Sequence, residues 1–414
     1  MIKKIKIYIT LAAVAFSSVS CLDKYPEDAI PEGDAIRTVE EANQAVIGIY
    51  AYMKNPNLYS GLLTLLPDLQ ADLAYAVEGY TNTYGNIWRW DILPTNTEVE
   101  AVYGTLNALI GKCNFLLERI AVLEQEVDDE DYEKLQQFKG EALFARALSY
   151  SDLIKMYCKA YDPATAADEL GVVLVSSYSN AGTLKRASLK DSYQFVLDDL
   201  AQSATCLKPD ENENDESYYD TPYFTIYAVN ALYARVYLNM QEWDKAIEYA
   251  SKVIDSRKFK LSSTTEMIDS ETSYYQYMWQ YDHSTETIWK VGFTTTSYGG
   301  SLGQIFFNYD FNSFKPDYVP AEWVLNLYAD TDLRATTFFQ SYRTGYEHGL
   351  QWPLLAKYFG NQEFYEQNIL HVTMPKVFRL SEQYLIRAEA YCQKSNPEYG
   401  KGAVSYTHLT LPTT

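Results

Sequence analysis

The chain has 414 residues, with 34 basic against 55 acidic side chains and a net charge of −21. That length suffices for one large domain or two smaller ones. A body this acidic argues against nucleic acid as a partner, and against electrostatic adhesion to anionic lipid heads. The second bias is aromatic: tyrosine accounts for 38 residues and tryptophan for seven. Tyr and Trp combine an apolar face with a polar tip, which suits wet recognition surfaces, although most of these rings are expected to pack between helices.

Residues 1–20 read as a secretory signal. Lys3, Lys4 and Lys6 precede an apolar run from Ile7 to Phe16, then Ser17-Ser18-Val19-Ser20 and the lone Cys21. The apolar run is too short to span a bilayer. Cleavage before Cys21 makes it the N-terminus and a lipid-attachment site, so the mature body is tethered to a membrane rather than inserted in it. Loss of the three signal lysines takes the charge from −21 to −24. The polar stretch Leu22-Asp23-Lys24-Tyr25-Pro26-Glu27-Asp28 begins immediately afterwards.

The rest reads as mostly helical. Glu40–Met53 carries Ala42, Ala45, Val46 and Ile49 at helical spacing, behind a capping box at Thr38-Val39-Glu40-Glu41. Val102–Val122 and Asp131–Tyr157 are predicted as longer helices. Ser188-Leu189-Lys190-Asp191 gives a start signal before Tyr193–Leu207. An echo runs through three helices: Ala147 and Tyr150, Ala234 and Tyr237, Ala388 and Tyr391 each place a small residue three positions before a tyrosine. With Ala246, Ala250 and Val253 following, this spacing resembles tetratricopeptide helix pairs, although their usual tryptophan and glycine are absent. The intervening stretches Pro67–Glu98, Asp210–Asp220 and Leu261–Pro320 read as long irregular regions, with short strand-like pieces such as Thr287–Phe293. Cys113, Cys158, Cys206 and Cys392 form no CxxC pair, and the first two are expected to be buried thiols.

Two aromatic clusters carry the binding candidates. Tyr80, Asn82, Tyr84, Asn86, Trp88, Arg89 and Trp90 form the denser one. Flat rings cover the apolar C–H face of a sugar, while Asn and Arg bond its hydroxyl rim. Trp88 and Trp90, two apart, face the same way if the segment is extended, and one of them is expected to plug the scaffold. The second cluster holds Tyr274, Tyr275, Tyr277, Trp279 and Tyr281, with Tyr298 beyond. Tyr274, Tyr275, Trp279 and Tyr298 are its candidates, whereas Trp289, inside an alternating run, reads as core.

Four segments give the chain a family resemblance. They are Cys21-Leu22-Asp23-Lys24-Tyr25-Pro26, then Gly140-Glu141-Ala142 with Arg146-Ala147, Tyr150, Leu153 and Tyr157, then Tyr328 with Asp332-Leu333-Arg334, and last Arg379-Leu380-Ser381-Glu382 through Ala390. In this order they resemble the SusD/RagB family of outer-membrane lipoproteins from glycan-eating Bacteroidota. The resemblance implies a mainly α fold: a scaffold of tetratricopeptide-like helical hairpins with a loop-rich, short-strand face. It implies one domain over 21–404, with an N-terminal part to about residue 220 and a C-terminal part from about 221. It also implies a surface lipoprotein that captures glycans and passes them to a SusC-like TonB-dependent transporter, with no cofactor.

No catalytic residue is assigned. His283, His348, His371 and His408 lack metal spacing, and no GxSxG, phosphate loop or dinucleotide fingerprint is present. Asp210, Asn212 and Asn214 resemble a calcium loop, but Asp215 stands at its glycine position and Thr221 at its glutamate position, so no metal is expected. A helical glycosidase with paired carboxylates, or a protein–protein scaffold acting as a transporter lid, stays open beside the glycan-binding reading. The tail 405–414 shows no helical pattern and reads as a non-native end that supplies no partner helix.

Overall fold

The computed structural model describes residues 35–77, 83–178, 184–209, 219–309, 312–329, 331–346 and 349–410. Cys21, Tyr80, Asn82, His348 and the Asp210–Asp215 stretch lie outside the described residues.

In chain order the helices are α1 (Val39–Tyr52), α2 (Leu62–Gln70), the single turn α3 (Gly85–Trp88), α4 (Thr97–Leu123), α5 (Asp129–Tyr157), α6 (Leu189–Cys206), α7 (Ile226–Asn239), α8 (Trp243–Asp255) and α9 (Tyr274–Gln280). They continue with α10 (Gln304–Phe307), α11 (Glu322–Leu325), α12 (Leu333–Phe338), α13 (Gln362–Tyr365), α14 (Leu380–Gln393) and α15 (Tyr399–Thr410). Eight short strands pair into four separate antiparallel ribbons among the described residues. β1 (Ala74–Ala76) pairs with β5 (Tyr318–Pro320), and β2 (Leu170–Val173) with β3 (Arg186–Ser188). β4 (Thr287–Lys290) pairs with β8 (Lys376–Arg379), and β6 (Phe339–Arg343) with β7 (Gln351–Leu355). The mainly α expectation holds.

Several helices start where capping side chains satisfy the first free N–H groups. Thr38 and Glu41 form the capping box of α1. Asp128 and Ser188 accept from the third residue of α5 and α6. The middle of α5 is buried on every side: an acidic, solvated first turn leads into a buried run from Ala142 to Ile154 enclosed by α1, α4 and α6. Within it Arg146 clasps Asp199 of α6 with two bonds, of 2.8 and 2.6 Å, and donates to the Asn114 Oδ1 of α4 at 2.7 Å. One apolar core runs from Ala42 to Leu380 and joins these helices to α7 and to the β4–β8 ribbon. A second apolar cluster lies under the loops, built on Leu65, Leu69, Phe306, Phe307, Tyr318 and Tyr358.

Two sequence expectations are corrected. Cys158 is only half-buried at the end of α5, while Cys113 is fully buried, which pushes its thiol up to about 12. The tail begins inside a helix rather than an irregular end. α15 packs on α14, with the Arg387 Nε donating to the Ser405 Oγ at 3.2 Å. Gly402 permits this approach, since a Cβ there would lie 2.7 Å from the Cys392 Sγ. Tertiary contact here overrides the poor intrinsic propensity of Gly and Thr.

Candidate functional site

The first cluster is folded, not extended. Tyr84 takes a left-handed backbone (φ 57°) and starts α3, so successive side chains turn around a helix instead of alternating. The expected common facing of Trp88 and Trp90 is therefore lost. Trp88 is half-buried: its Nε1–H donates to the Ala74 carbonyl at 2.9 Å, and its ring meets Tyr318 edge-on at 6.4 Å. It is the ring that plugs the scaffold. Trp90, itself at φ 60°, stays 63 % exposed. Arg89 and Asn86 are exposed beside it, with the Arg89 Nη2 donating to the Asn86 Oδ1 at 2.8 Å. Tyr84 is half-buried on a cavity of about 340 Å3 that also holds Gln304, Asn308 and Asp317. Burial, with Glu98 and Asp317 nearby, holds its hydroxyl above the ordinary tyrosine range.

The β1–β5 ribbon adds two rings that the sequence reading passed over. Tyr75, in the middle of β1, pairs with Val319 and is 47 % exposed. Trp323, on α11 just beyond β5, is 44 % exposed, and its Nε1–H donates to the Asp72 carbonyl at 3.1 Å. The bonds from Trp88 and Trp323 fasten α3 and α11 to residues 72–74. Tyr75, Trp323 and, two residues beyond Trp88, Trp90 thus stay exposed on segments tied to residues 72–74. The only signal for Trp323 was its place beside the Asp332-Leu333-Arg334 element, and strand pairing across more than 240 residues is invisible to a local pattern.

The second cluster divides. Ser273 and Gln276 make the capping box of α9, a helix where a loop was expected. Tyr274 is exposed on it. Tyr275 and Trp279, one turn apart, both face inward against Phe338, and burial pushes the Tyr275 hydroxyl up to about 12. Tyr298 is exposed on a different loop, held to the end of α1 by the Lys54 Nζ donating to the Ser297 carbonyl at 3.1 Å. Trp289 is fully buried, as its alternating run predicted, and donates to the Pro222 carbonyl at 2.9 Å.

Trp279 lines a cavity of about 440 Å3 between the helical scaffold and the loops. On the scaffold wall, Arg235 grips Glu382 at 2.7 and 2.8 Å, and Asp152 accepts from the Tyr59 hydroxyl at 2.5 Å. On the loop wall, Lys357, Lys376 and Arg379 lie 5.0, 5.0 and 5.2 Å from the Trp279 ring centre. Burial pulls the Lys357 ammonium down to about 8, against the opposing pull of Asp68. Burial also raises the Asp68 carboxyl. Among the described residues no three His, Cys, Asp or Glu side chains converge as metal ligands, and no helix is long and apolar enough to cross a membrane.

A helical scaffold carrying separate short ribbons is the architecture that the sequence resemblance implied. Residues 22–238 match the SusD-like family described as starch-binding associating with outer membrane. The chain belongs to this family. It is 23 % identical over 257 residues to the SusD-like protein P2 of Formosa agariphila, and the match covers 61 % of this chain but only 46 % of that relative. The chain is also similar in fold to a SusD superfamily protein from Bacteroides thetaiotaomicron. That comparison has a TM-score of 0.75 and 22 % identity, and covers 89 % of this chain and 79 % of the other. Surface glycan-binding protein A from Bacteroides uniformis aligns at a TM-score of 0.69 and 17 % identity, over 90 % of this chain and 80 % of its own.

Proposed function

We propose that this protein captures poly- or oligosaccharide at the cell surface and delivers it to a partner TonB-dependent outer-membrane transporter, without catalysis of its own. Cys21 carries the lipid that holds it at the outer membrane. The observation behind this reading is the exposure of Trp90, Tyr75 and Trp323. Burying one such ring is worth on the order of 2–3 kcal/mol, and here three, one on β1, one just beyond α3 and one on α11, are left partly in water. Exposed rings, of which Trp323 is oriented by its own hydrogen bond to the Asp72 carbonyl, offer a platform for the apolar face of a sugar, and Arg89 and Asn86 supply donors and acceptors for its hydroxyls. Tyr84 stands behind these rings. Tyr80, Tyr274 and Tyr298 are further contacts for a long polymer in this reading, while Trp88 and Tyr275 act as supports.

Affinity electrophoresis against plant, host and microbial polysaccharides tests it. At least one polymer is expected to retard the protein, and Trp90→Ala or Trp323→Ala should weaken that retention about tenfold, the loss usual for a central aromatic contact. A folded protein that no polymer retards overturns the reading. New reducing ends released from a retained polymer would overturn the non-catalytic part alone.

A further inference from the structure

The charges around the 440 Å3 cavity do not all close on each other. Arg235 is paired with Glu382, Lys376 with Asp282 at 2.6 Å, and Arg379 with Glu286 at 2.8 Å. The last two acids are each held by two further donors. Asp282 also accepts from the Asn361 side chain and the Met374 N–H, and Glu286 from Ser381 and the Ser262 N–H. Two lining groups differ. Among the described residues, neither the Lys357 ammonium nor the Asp68 carboxylate makes a hydrogen bond or an ion pair, although each feels the other's charge across the cavity. Lys357 therefore joins Lys376 and Arg379 around one indole with no acid of its own in contact. In a chain of net charge −21, Lys357 is thus a lining cation left without a contacting acid.

We propose that this cavity holds a carboxylate-bearing sugar of an acidic glycan, its anion on Lys357 beside Trp279 and a ring hydroxyl donating to Asp68. The assignment rests on the glycan-binding reading above and narrows it to uronate-type units. The volume is within the roughly 300–1,000 Å3 of small-molecule sites, and the walls offer the mixture such a unit needs. Trp279 and Tyr358 supply apolar faces, Lys357 a point charge and Asp68 an acceptor. A carboxylate on Lys357 makes a charge-assisted bond away from bulk water, where it is strongest. The repulsion from Arg379 and Lys376 that helps hold Lys357 down would be relieved by that anion.

Calorimetric titration of the purified protein with tri-galacturonate and with neutral galactotriose tests the proposal. The uronate should bind about tenfold or more tightly than the neutral sugar, Lys357→Met should abolish that preference, and Lys357→Arg should keep it. Raising the pH from 7 to 9 should weaken uronate binding to the unmodified protein, because Lys357 loses its proton in that window. The groups facing it are Asp68, Lys376, Arg379 and the Tyr358 hydroxyl, with Asp152, Lys155, Arg235 and Glu382 on the opposite wall. Lys357→Arg should show a flat profile, which keeps the test open if the methionine variant fails to fold. Equal affinity for both sugars, no heat with either, or a pH profile shared by the arginine variant overturns the proposal. The polysaccharide gels report separately on the glycan-binding reading, so uronate binding can fail while polymer retention stands.

Discussion

His371 is fully buried with a left-handed backbone (φ 62°), its ring stacked on Phe307 at 5.1 Å. Its Nδ1–H donates to the Phe359 carbonyl at 2.9 Å, and its Nε2 has no partner among the described residues. Burial holds its pKa below the usual 6.5. The unfolded chain therefore takes up a proton that the folded chain resists. The sign follows: this residue's contribution to stability is intact above pH 6.5 and is lost as the pH falls below it. His371→Asn keeps a side chain that tolerates positive φ and removes the titration. Urea midpoints measured from pH 7 to 5.5 should fall less for the variant than for the parent, by up to about 1.4 kcal/mol per pH unit, with the carboxylates common to both. Parallel declines would show that His371 takes no part. Residues such as this one are hard to read in advance. Trp289 was legible because it lies in a short strand-like run, which the structure buries on both faces, whereas Trp88 and Trp90 were not, because the left-handed turn at Tyr84 converts an apparent alternation into a helical turn.

Most of the long helices were legible to within a few residues, because a 3.6-residue apolar period marks them and, at α1 and α6, so do capping side chains, whereas α15 was not. The short ones were not. α3 and α9, of four and seven residues, are too brief to show a period, and the β1–β5 pairing depends on partners far apart in sequence. Gly140, inside α5, tests what decides at this scale. Replacing a helical glycine with alanine ordinarily stabilises by about 1 kcal/mol. Here a Cβ would lie 2.8 Å from both the Cys206 Cβ and the Leu207 Cγ at the end of α6, and the first of these atoms cannot swing aside. Gly140→Ala should therefore cost about 1–3 kcal/mol in urea unfolding, the opposite sign to propensity. A stabilised variant would mean that α5 and α6 can separate without loss.

Across the whole molecule, the echoed helices do more than repeat a small residue and a ring. Each carries an arginine that reaches another helix: Arg146 to Asp199, Arg235 to Glu382, and Arg387 to Ser251 and Ser405. Long-range ties of this kind hold the scaffold independently of the loops. The proposed tether belongs to the same scale. Cys21→Ala, expressed with residues 1–20 intact, should move the protein from the membrane fraction to the soluble one, and unchanged membrane association would remove the lipid from the account. The four ribbons carry a consequence for descent as well as for structure. Among the described residues none shares a strand with another, so an inserted residue in one cannot shift the register of the next. Insertions and drift on the loop face stay local, and a lineage can rewrite what it binds while inheriting the same helices.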